Sequence, residues 1–170
     1  MVTKHLYAIA ILPGIVTIVI PAGILWTTDS LNLGESLHAP WNLLPYFLGL
    51  AIISLGIILM TSCIVLFAHR GDGTLAPWMP TKHLVVYGPY RYVRNPMILG
   101  VFSVLFGEAV LAGSLALLYW FLVFMVLNLL YVPLMEERSL IRRFGEEYRR
   151  YQRYVRRWIP RISPWESGVS

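Results

Sequence analysis

Lys82-His83-Leu84-Val85-Val86-Tyr87-Gly88-Pro89-Tyr90-Arg91-Tyr92-Val93-Arg94-Asn95-Pro96-Met97-Ile98-Leu99-Gly100 is the stretch that decides how this chain folds. It is polar, aromatic and turn-rich, and it lies between two long apolar blocks. A second polar signal, Glu136-Glu137-Arg138, closes the next apolar block. The 170 residues are 57% hydrophobic and 14% charged, whereas a soluble domain carries roughly 25% charge. The chain therefore reads as an all-α integral membrane protein whose helices hold the two polar pieces together at one membrane face.

Upstream of the central stretch lie two apolar blocks, His5–Trp26 and Trp41–Ala68. The first is about as long as a membrane-crossing helix of ~20 residues and too long for a cleaved secretion signal; the second is longer than a span needs, which permits tilt or a short projection beyond the lipid. Pro13 and Pro21 predict kinks in it. A connector over 28–40, with Asp29, Glu35 and His38, carries no Lys or Arg. A loop over 69–95 follows, with Gly71-Asp72-Gly73 as a turn and Pro77 and Pro80 around Trp78. Its length marks it as functional.

Downstream, residues 96–134 predict a helical hairpin with Gly113-Ser114 as the turn, bringing the expected spans to about four. Its first arm is short for a full crossing. Leu140, Ile141, Phe144, Tyr148, Tyr151, Val155 and Trp158 then recur at helical spacing among nine arginines. That pattern predicts an amphipathic helix over 135–159, lying in the interface with its apolar stripe toward lipid. Gly145 predicts a bend and Pro160 the end. The organisation is a transmembrane pair over 1–73 and a core over 74–170.

Charge sets the orientation. All fourteen Lys and Arg residues fall on one side of a four-span arrangement. The expectation is an inner or plasma membrane, with both termini and the central loop in the cytoplasm. Anionic lipid, rather than nucleic acid, is the expected counterpart of the arginines. The single cysteine, Cys63, excludes an internal disulfide, and no spacing suggests a metal.

Three groups carry chemistry. Asn95 and Pro96 suit the start of a helix, whose free N–H groups beside Arg94 suit a carboxylate or phosphate. Gly88 and Gly100 permit close backbone approach, and Tyr87, Tyr90 and Tyr92 can stack on a flat ring. Glu136 and Glu137 raise each other's pKa at a bilayer edge, which suits a cationic or polyhydroxyl ligand. Glu108, about 18 Å along the hairpin from Pro96, is an intramembrane acid of open role.

These motifs, with Phe144-Gly145-Glu146-Glu147-Tyr148 and Ile159-Pro160, resemble the isoprenylcysteine carboxyl methyltransferase family and its bacterial and phospholipid methyltransferase relatives over about 74–160. The first two spans show no signature of it. The resemblance implies a membrane enzyme using S-adenosyl-L-methionine on a lipophilic or small acceptor (carboxylate, lipid amine or thiol). It implies that Arg94, Asn95 and Pro96 hold the methionine end, and that Glu136 or Glu137 takes the ribose hydroxyls or ammonium. Leu84, Val85, Tyr87, Gly88 and Tyr90 would line the adenine side, with Gly100 close by. Arg142 or Arg143 would act at the acceptor. Asn95 stands where the prenylcysteine enzymes carry His, which points away from prenylcysteine as acceptor. A sterol-reductase-type enzyme using NADPH, or a non-enzymatic protein of the same fold, is the competing reading.

Overall fold

The computed structural model describes residues 13–28, 43–70 and 84–166, with 68–70 by backbone only. Lys4, His5, the connector with Asp29, Glu35 and His38, the turn at 71–73, Pro77, Trp78, Pro80 and Lys82 lie outside the described residues. The described residues form helices α1 (Ile20–Thr27), α2 (Leu44–Arg70), α3 (Pro96–Ala112), α4 (Leu115–Tyr131) and α5 (Glu137–Tyr154), with no strand among them. Among the described residues, two stretches are long and apolar enough to cross a bilayer: Leu44–Phe67 and the apolar part of the helical run that starts at Leu115. The apolar helices Ile15–Thr27 and Pro96–Ala112 are shorter.

Prolines shape the helices as π turns. Pro21 has no N–H to give to the carbonyl four residues back. The chain instead widens over Ile15–Val19, where the Ile20 N–H reaches Ile15 O. Pro133 does the same over Val132–Glu136, where the Glu137 N–H reaches Val132 O. Such a turn adds one residue and rotates the downstream helix by about 100°. That rotation leaves Glu137 buried and Glu136 half-buried.

The structure separates into two units, one of Ile11–Ile58 with Gly100–Asn128, the other containing Leu59–Leu99 and Leu129–Ser170. In the first, α2 and α3 pack backbone to backbone. A Cβ on Gly56 would stand 2.7 Å from Gly100 O, and one on Gly107 2.7 Å from Ile53 Cγ1 and 2.9 Å from Gly49 O. Gly107→Val is therefore expected to cost about 1–3 kcal/mol, read as a lower thermal midpoint in detergent. Gly113, at φ +57°, makes the hairpin turn, and Phe102 meets Phe121 and Phe124 edge-on across the hairpin.

In the second unit, α5 bends at Gly145 (φ +53°, ψ −125°), where only glycine is at ease. Two expectations are corrected here. The helix stops at Tyr154 rather than running to 159, because Val155 is extended and 1% exposed. Its apolar stripe also does not await lipid. Tyr148, Tyr151 and Val155 pack with Leu140, Ile141 and Phe144 against Leu84, Val86 and Trp165 of the same chain.

Candidate functional site

The site grows from the segment that enters α3. Residues 84–87 form no helix or strand, Tyr87 is extended (φ −131°, ψ 161°), and alternate side chains go to different clusters. Leu84 and Val86 join the α5 cluster. Val85 joins Cys63, Phe67 and Tyr90, with Met97 packed alongside. Gly88–Arg91 then forms one 3₁₀ turn with Pro89 near its start, and the Tyr151 hydroxyl donates to Tyr90 O at 2.6 Å. α5 thus covers the segment. Tyr87 and Tyr92 stay exposed, whereas Tyr90 is buried against Phe67.

The chain after α5 returns along the same segment. The Arg94 N–H donates to Arg156 O at 2.9 Å, the Arg161 N–H to Tyr92 O at 2.9 Å, and the Trp165 N–H to Arg91 O at 2.9 Å. Asn95 Nδ2 donates to Arg157 O at 3.2 Å, and Arg91 reaches Trp165 O and the Glu166 carboxylate. No periodicity announces this tail; its only cues are the Pro160 and Pro164 that favour extended backbone.

The two open ends of the hairpin meet through Glu137. Its side chain is 7% exposed, and Arg157 grips both oxygens, Nε to Oε1 at 2.7 Å and Nη2 to Oε2 at 2.8 Å. Gln152 Nε2 adds 3.1 Å to Oε2. Arg94 Nη1 lies 2.9 Å from Oε1 with its side chain 10% exposed. Its N–H is not aligned on that oxygen, so Arg94 Nε and Nη1 are buried without a hydrogen bond.

Glu136 differs from its neighbour. Its carboxylate is half-buried and makes no ion pair among the described residues, though its charge reaches Tyr90 and Tyr148. Burial first, and the Glu137 charge second, hold its carboxyl above the usual carboxylate range. Tyr148 is pushed up to about 12 by burial and by Glu137, while the adjoining Arg94 guanidinium opposes the shift.

The sequence-predicted residues thus divide. Arg94, Asn95, Glu137 and the Tyr90 backbone share one cluster, with Glu136 beside Glu137 in the chain. Pro96 is fully buried at the helix start. Leu84 and Val85 are core packing, and Gly88 is exposed at the head of the turn. Gly100 belongs to the other unit, its carbonyl against Gly56. Arg142 and Arg143 are exposed on α5, the Arg143 guanidinium lying over the Phe144 ring. Sequence reasoning missed Arg157, counted only among the nine arginines, and Gln152.

The profile of the phospholipid methyltransferase family matches residues 44–147, more than half of the chain. The chain belongs to that family. No curated protein and no solved structure matches it. The phospholipid methyltransferase match starts at α2, so the second apolar block carries family sequence that the motif reading did not detect. It ends at Glu147, before the tail. Membership makes methyl transfer the family activity, and the two long apolar helices associate the chain with a membrane.

Proposed function

We propose that this protein transfers a methyl group from S-adenosyl-L-methionine to a lipophilic acceptor at the cytoplasmic face of its membrane. The observation that carries the reading is Arg94, a nine-tenths buried guanidinium beside a helix start whose Nε and Nη1 make no hydrogen bond among the described residues, Nη1 having only its ion pair with Glu137. A buried donor without a partner is costly, and a ligand carboxylate satisfies this one while meeting the dipole of α3. When bound, S-adenosylmethionine supplies a methyl on a positively charged sulfur, so the chain needs no nucleophile of its own.

The remaining roles follow from charge and cover. Arg94 and Asn95 hold the carboxylate end. Glu136, half-buried and without an ion pair among the described residues, attracts the ammonium or ribose hydroxyls. Leu84, Val86, Tyr148 and Tyr151 exclude water. A lone carboxylate repels a second carboxylate, so Glu136 and the family together favour an amine-bearing lipid as acceptor. The exposed α5 arginines, Arg142 and Arg143 among them, meet anionic headgroups or the acceptor phosphate.

The test is calorimetric titration of detergent-purified protein with S-adenosylhomocysteine, beside methyl transfer from labelled cofactor to amine-bearing and carboxylate-bearing lipids. Micromolar binding is expected, falling as pH drops and protonates Glu136. Glu136→Gln is expected to weaken binding about tenfold and to flatten that pH dependence. No binding by folded protein overturns the cofactor assignment. Binding by Glu136→Gln equal to the parent's removes Glu136 from the site.

A further inference from the structure

Glu137 is contested by two arginines. Its two oxygens lie in a site where the side chain is 7% exposed, and the Arg157 fork takes both. A buried guanidinium beside a carboxylate normally makes that parallel two-bond fork itself. Arg94, with Nη1 2.9 Å from Oε1, is left with charge attraction to Glu137 and no aligned hydrogen bond to it, while its guanidinium also bonds the Tyr148 hydroxyl. We propose that Arg157 is a positioning residue: by holding Glu137 in its own fork, it keeps the Arg94 donors open for the ligand's carboxylate. The inference rests on the proposed function, which identifies that carboxylate as the cofactor's.

The backbone reinforces the arrangement. Arg156 O accepts the Arg94 N–H, and Arg157 O accepts Asn95 Nδ2. The tail that carries the fork is thus bonded to the residue whose donors it keeps free. The early end of α5 at Tyr154 allows this, since Val155 turns the chain back. Arg157 lies beyond residue 147, where the family match ends, so the device is built from the chain's own tail. Without the fork, Glu137 is free to swing onto Arg94 and occupy its donors internally.

The experiment titrates the full chain in detergent with S-adenosylhomocysteine and with 5′-methylthioadenosine, which lacks the amino-acid portion. Arg157→Gln is expected to bind S-adenosylhomocysteine about tenfold more weakly and methylthioadenosine as the parent does. Arg157→Lys, a point charge without the fork, is expected to behave like Arg157→Gln, and it keeps the buried carboxylate paired should the glutamine variant not fold. Adding Glu137→Gln to either variant removes the competing charge and is expected to restore most of the lost affinity. Equal losses for the two ligands, an unchanged affinity for S-adenosylhomocysteine, or no recovery in the double variant would each overturn the inference. A parent protein that binds no S-adenosylhomocysteine overturns the cofactor reading itself, and this inference with it.

Discussion

Arg94→Ala is expected to weaken S-adenosylhomocysteine binding about a hundredfold while the protein stays folded and inserted. The size follows from losing a charge-assisted contact of about 1.5–3 kcal/mol in a site screened from water. The fold survives because Glu137 keeps its fork with Arg157 and its bond from Gln152, so no buried charge is stranded. Arg94→Lys separates charge from geometry: it retains the cation but not the fork, and an intermediate affinity is expected. Calorimetry with a thermal-unfolding control checks both variants. Parent-like binding by Arg94→Ala would show that the buried guanidinium serves Glu137 alone.

The second large effect comes from truncation. Ending the chain after Gly145 removes Tyr148, Tyr151 and the whole tail, and with them the cover over Leu84, Val86 and Tyr90. It also removes Gln152 and Arg157, leaving Glu137 with Arg94 alone. Methyl transfer is expected to fall at least about a hundredfold, since both alignment and exclusion of water are lost. Membrane retention, read by alkaline extraction, is expected to persist because α2 and α4 remain. Truncation after Tyr154 keeps α5 and separates the helix from the tail. Full activity of the shorter form would remove α5 from the site.

The family adds a boundary to this picture. Its match covers α2 through the first half of α5 and stops before the segment that returns along Tyr92–Asn95. The ion cluster therefore joins family positions, Arg94 and Glu137, to a tail residue, Arg157. Glu136 and Glu137, adjacent and identical in type, have different surroundings. One is locked by partners, and the other is half-buried with no ion pair among the described residues.

Local chemistry made the helical architecture legible from sequence. Apolar length marked the helices, Gly113-Ser114 the hairpin turn, Asn95-Pro96 the start of α3, and Gly145 the bend in α5, because each depends on neighbours a few residues away. The prominence of Arg94 and the glutamate pair was legible for the same reason: charge at the edge of an apolar run is conspicuous. The tertiary structure alone decided which glutamate is paired, since that depends on a π turn at Pro133 re-phasing the helix. It alone placed Arg157 on Glu137, a contact across 20 residues that no periodicity encodes. It also turned the apolar stripe of α5 inward, because Leu84, Val86 and Trp165 compete with lipid for that surface, and only the folded chain brings them there.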